Sequence, residues 1–124
     1  MRWVVIASIM MFMVVCGSAL GATLNLKATW TPPTTNSDGT PLTDLASYNL
    51  YRTDSGRTRI GNISSTAAQP YLFSVTVTNS ATLTFVITAV DTSGNESVDS
   101  APASYSYVDT IPPSAPKNLT VQKQ

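Results

Sequence analysis

Carboxylates and phenols carry most of the chemistry available to this sequence. It contains no histidine and a single cysteine, Cys16, so an activated serine or cysteine nucleophile has no imidazole base to serve it. Lys27 and Lys117, the first in an alternating segment and the second in a proline-rich tail, are poor substitutes. Paired acids for glycoside hydrolysis need two carboxylates facing across a cleft, and a chain this short offers little room for one. No enzyme activity and no cofactor are expected. The remaining polar candidates sit in two turn-rich segments: Asn36, Asp38 and Asp44 in one, and Asp91, Ser93, Asn95 and Glu96 in the other. The carboxylates of Asp38, Asp44, Asp91 and Glu96 suit calcium if they converge, yet DTSGNES lacks the spacing of a dedicated calcium loop, and turn formation explains the same residues. Tyr51, Tyr71, Tyr105 and Tyr107 form a second set, able to stack on sugar rings if exposed together or to act as ordinary cross-strand pairs.

What must position these groups is read from the patterning. Charge gives no direction: seven basic and seven acidic residues cancel over 124 residues, so no steering field favours nucleic acid. Residues 1–22 differ from the rest. Arg2 precedes the apolar run WVVIASIMMFMVVC and the small-residue stretch GSALGA, the three parts of a secretory signal with cleavage expected after Gly21 or Ala22. An uncleaved membrane anchor is the alternative, because Trp3 to Ala22 approaches the ~20 residues that span a bilayer. A lipoprotein signal at Cys16 fits less well, since Val15 stands where such signals carry a small residue. Cys16 leaves with the leader, so the exported domain must be held by packing without a disulfide.

After the leader the period is two. Leu24, Leu26, Ala28 and Trp30 alternate with Asn25, Lys27 and Thr29, which places the apolar set on one face of a strand. TPPTTNSDGTPLTD reads as a loop. In SYNLYR, Tyr48 and Leu50 face one way and Asn49 and Tyr51 the other. RIGNI (59–63) is a weaker strand with Gly61 marking a bulge. YLFSVTVT (71–78) and LTFVITAVD (83–91) follow, the latter apolar on both faces and so central in its sheet. Asp91 is expected to accept from backbone N–H groups just beyond it, with Gly94 and Asn95 taking positive φ. Residues 98–108 form an edge strand interrupted by Pro102. Six strand candidates and no helical pattern outside the leader predict an all-β antiparallel sandwich.

Trp30 in ATWTPP, Tyr48 in SYNLYR, FVITAVDTSGNES and the closing VDTIPPSAPKNLTV, in that order, resemble a bacterial-type fibronectin type III domain over residues 23–108. The resemblance implies an immunoglobulin-like sandwich with Trp30 on strand B, Tyr48 and Leu50 on C, and Phe85 and Ile87 on F meeting in the core. It implies that the B–C and F–G loops share a pole, making Asn36, Asp38, Asp91, Ser93, Asn95 and Glu96 the ligand-facing residues. Two departures stand out. Leu83 occupies the place where the family often ties its E–F corner with a tyrosine, so apolar packing must replace that hydrogen bond. No strand A precedes strand B, whereas residues 112–121, PPSAPKNLTV, resemble such a strand at the opposite end. Residues 109–124 are then a linker into a further module, or a strand donated to a neighbouring molecule in head-to-tail association. The function implied is that of an exported, non-catalytic spacer or protein-binding and adhesion module, secreted to the extracellular space or periplasm. Its expected partner is a protein or an extracellular polysaccharide, with membrane contact only through an uncleaved leader. The alternatives are a carbohydrate-binding accessory module and a fragment of a longer extracellular enzyme. The triplets at Asn62, Asn95 and Asn118 also fit the glycan acceptor pattern.

Overall fold

The computed structural model describes residues 21–124. The leader expected over 1–22, with its anchor alternative and Cys16, therefore lies almost wholly outside the described residues. Alternating apolar segments become six strands: β1 (Ala22–Ala28), β2 (Leu45–Arg52), β3 (Thr58–Ser64), β4 (Tyr71–Val77), β5 (Ala81–Asp91) and β6 (Ala103–Tyr107). There is no helix among the described residues. β1 pairs with β4 in a two-stranded sheet, and the second sheet runs in the order β3-β2-β5-β6. All pairings are antiparallel.

The two sheets share one apolar cluster, a sandwich-like arrangement. Val75 and Val77 of β4 meet Tyr48, Leu50, Ile63, Leu83 and Phe85 of the larger sheet. Phe73 and Phe85 cross between the sheets edge to face with centroids 5.4 Å apart, a geometry that lets a positive ring edge meet a negative face. Leu83, where no tyrosine corner exists, is fully buried at 0 % exposure. Burying one such aliphatic side chain contributes about 1.5–3 kcal/mol, the type of term on which a domain without disulfides depends. Trp30 and Ile87 are only half-buried against this cluster, because both border a region that the narrower sheet leaves uncovered.

The strand boundaries follow the chemistry of the sequence with three differences, the first being that β1 ends at Ala28 and leaves Trp30, expected on it, just beyond its end. β5 lies between β2 and β6, the central position expected of it, and Val86 and Thr88 on the face opposite Leu83 and Phe85 are buried as well. The bulge falls at Ile60, where the register shifts opposite Leu50 and Tyr51. Gly61 has a separate reason to lack a side chain: a Cβ there would come within 3.0 Å of the Tyr71 hydroxyl. The expected strand over 98–108 shortens to Ala103–Tyr107. Ahead of Pro102, Ser97 and Ser100 still donate their N–H groups to the Ala89 and Ile87 carbonyls, while serine hydroxyls replace the backbone acceptors: Ser97 Oγ accepts from the Ala89 N–H at 2.9 Å and Ser100 Oγ from the Ile87 N–H at 3.0 Å. Proline lacks the N–H that a continuous ladder would use.

Candidate functional site

The pole built by residues 31–44 and 91–97 gathers five of the six expected ligand-facing residues. Asn36, Asp38, Asp91, Asn95 and Glu96 surround a depression of about 450 Å³, with Asp44 on the same wall, whereas Ser93 lies outside it. Each carboxylate with resolved bonds is already engaged by its own neighbourhood. Asp38 Oδ1 accepts from the Thr40 hydroxyl at 2.6 Å and from the Thr40 N–H at 3.0 Å, which lowers its pKa, the hydroxyl contributing most. Asn36 closes the same loop by donating to Thr40 Oγ1 and to the Pro41 carbonyl.

Asp91 holds the second turn. Its Oδ1 accepts from the N–H groups of Ser93 and Asn95, both at 2.9 Å, and its Oδ2 from the Asn95 side-chain amide at 2.8 Å. The Asn95 amide is the main reason its pKa falls below the usual carboxylate value. Gly94 has φ 84°, a left-handed conformation that glycine adopts without a Cβ clash. Asn95 is not among the residues with positive φ, contrary to expectation; its side chain is held by Asp91 within the turn. Thr92 N–H donates to the Asp44 carbonyl at 2.9 Å and so ties the two loops together. Among the described residues no group of three or more histidine, cysteine or carboxylate side chains is placed to hold a metal ion.

Glu96 departs furthest from the loop-tip position expected of it. It folds back over the outer face of β2 and β5, where one oxygen, Oε1, accepts from the Thr88 hydroxyl at 2.5 Å, the Tyr51 hydroxyl at 2.6 Å and the Asn49 amide at 3.2 Å. Asn49 Oδ1 in turn accepts from the Asn62 amide at 2.8 Å, extending the chain of bonds across β5, β2 and β3. Three donors on one carboxylate stabilise its charged form. Its pKa is lowered from 4.5 to about 2, with Thr88 the largest cause, then Tyr51 and Asn49. Thr88 and Asn49 are 2 % and 6 % exposed, buried polar groups that need these partners. The arrangement fastens a loop to a sheet and leaves this carboxylate oxygen saturated.

The tyrosines divide among different surroundings. Tyr51 lies on the outer face with the Arg57 guanidinium 3.9 Å above its ring, and Arg57 also pairs with Asp99 at 2.7 Å. Tyr71 stacks on Phe73 with centroids 6.3 Å apart. Tyr107 packs against the core. Tyr105 alone is classed as exposed, so the four do not make one stacking stripe. No protein-family model matches the chain, and no curated protein or solved structure is significantly similar to it. No described helix is long and apolar enough to cross a membrane.

A different region remains open. Leu26, Trp30, Phe73, Phe85, Ile87 and Tyr105 wall a groove of about 470 Å³ between β1 and β6. Sequence patterning did not locate this groove, since its lining comes from five strands, β1, β2, β4, β5 and β6, far apart in the chain. Trp30 lies edge to face on Tyr48 with centroids 5.0 Å apart. Its indole N–H and the Tyr48 hydroxyl are buried without a hydrogen-bond partner among the described residues.

Proposed function

We propose that the chain is an exported, non-catalytic module of the fibronectin type III kind that serves as a spacer or protein-binding and adhesion domain at a cell or particle surface. The observation that carries this reading is the strand order, β1-β4 against β3-β2-β5-β6. It resembles the family's sandwich with strand A left out. Burial of Leu83 at the former corner position supports it, as does the placement of Tyr48, Leu50 and Phe85 in one core. The non-catalytic part is supported by carboxylates that answer to their own loops and strands rather than to a cleft.

Two measurements test the reading. Expression of the full chain in an export-competent host, followed by N-terminal sequencing, is expected to give a product beginning at Ala22 or Thr23; retention of the whole leader in the membrane would refute export as a free domain. A glycan array addresses the carbohydrate alternative, for which Tyr105 is the one tyrosine left substantially exposed. No saturable signal is expected. Binding that disappears in Tyr105→Ala would transfer the protein to the carbohydrate-binding class.

A further inference from the structure

We propose that the groove between β1 and β6 receives residues 117–123 of a second copy of this chain as an added strand beside β1, linking copies head to tail. The proposal deepens the module reading above by naming the partner.

Three observations bear on the acceptor. Among the described residues β1 pairs only with β4, so one row of its backbone donors and acceptors has no strand partner among them, the template that strand addition uses. Beneath that edge lie the apolar groove walls, with Ala103 and Tyr105 of β6 exposed. The far side of the small sheet differs: the depression bordering β4 and β3 includes Arg52, Ser55, Thr58, Ser74 and Thr76 and is a poorer seat for apolar side chains.

The donor is the tail. Beyond Tyr107 no residue enters a strand, and the bonds reaching past it are Asp109 N–H to Ser80 Oγ and Ile111 N–H to Asp109 Oδ1. Three prolines keep residues 112–116 out of any ladder. Asn118, at φ 58°, kinks the chain in a conformation that asparagine tolerates better than most residues. From there Leu119 and Val121 alternate with Asn118, Thr120 and Gln122, an apolar and a polar face at strand spacing. Leu119 and Val121 are 89 % and 88 % exposed in a segment that has no core of its own.

Chain direction favours a second copy over self-closure. Ala22, the start of β1, is paired with Val77, next to the turn whose Ser80 holds Asp109. The end of β1 leads to Trp30, which lines the groove with Ser100 and Ala101 ahead of β6. The tail thus leaves at the pole where β1 begins, and folding back along β1 would make it parallel to that strand. A tail arriving from another copy at the opposite pole runs antiparallel to β1, the pairing that every other ladder of this protein uses. Because donor and acceptor are different surfaces, the contact is heterologous and extends into open chains.

The test uses two full-length variants. Leu119→Asp with Val121→Asp disables the donor at exposed positions, and Ala103→Asp places a charge on the exposed groove wall and disables the acceptor. Light scattering coupled to gel filtration is expected to show mass rising with concentration for the native chain and monomers for each variant alone. An equimolar mixture of the two variants is expected to give a dimer, twice the monomer mass and no longer species. A native chain that stays monomeric, or a variant mixture that does not dimerise, overturns the proposal. Either failure removes this partner while leaving the N-terminal sequencing and glycan results, and the module reading with them, unaffected.

Discussion

The polar pole and the apolar groove lie on the same small domain and invite opposite conclusions from sequence. The pole collects Asn36, Asp38, Asp91, Asn95 and Glu96, the residue types from which ligand sites are usually built, yet its bonds run inward to Thr40, to the 91–95 turn and to the outer face of β2 and β5. The groove has few polar groups, but two of its structural conditions remain unmet: an unpaired strand edge and apolar walls open to water. A buried hydrogen-bonding group stabilises only when paired, and an exposed apolar surface gains free energy only when covered. Polar density therefore marks where this protein is finished, and apolar exposure marks where it is not.

Four changes would break or sharpen that contrast. The largest effect is expected from Leu83→Ala, which opens a cavity in the core shared by the two sheets: about 2–5 kcal/mol should be lost, read as a lower urea midpoint with unchanged slope. Next comes Glu96→Ala. It leaves the buried Thr88 and Asn49 side chains without their acceptor, and water reaching the exposed carboxylate should hold the loss to the lower part of the ~1–3 kcal/mol expected for unsatisfied buried groups. A loss as large as that of Leu83→Ala would mean that the pole is part of the core rather than a fastening upon it.

The third change is pH. The folded pKa of Glu96 is depressed from 4.5 to about 2, so its contribution is fully present above the unfolded value and is lost as pH falls from about 4.5 towards 2. Denaturant midpoints of the native chain and Glu96→Gln should therefore differ at neutral pH and converge across that window. Parallel curves would show that the carboxylate charge contributes nothing. The smallest effect belongs to the groove's proposed donor: Leu119→Asp with Val121→Asp should alter the stability of the monomer by less than about 0.5 kcal/mol, measured at concentrations too low for association. A larger loss would place the tail within its own domain.

The two regions also differ in how far the sequence revealed them. The expectation of an uncovered β1 edge came from the family resemblance, in which a strand A ordinarily lies beside strand B, and among the described residues β1 pairs only with β4. The turn at Asp91 was legible because a short acidic side chain two residues before a Ser-Gly-Asn run can reach only a few local N–H groups. The position of Glu96 was not, since its partners Asn49 and Tyr51 are 47 and 45 positions away. The serine hydroxyls that replace backbone acceptors before Pro102 left only a faint signal, two serines three residues apart ahead of a proline. The division of the tyrosines required knowing which face of which sheet each strand presents, and Arg57 reaches Tyr51 only once β2 and β3 have paired.

By itself the sequence determined most of the strands, their inward and outward faces and the turns between them, because period-two alternation, proline and glycine act over a few residues and need no knowledge of distant partners. The tertiary structure alone decided that Glu96 bonds to the outer face of β2 and β5, that Asn49 and Thr88 are buried, and that five strands line one apolar groove. Those outcomes depend on the register and stacking of segments far apart in the chain, and such distances are set only when the sheets meet.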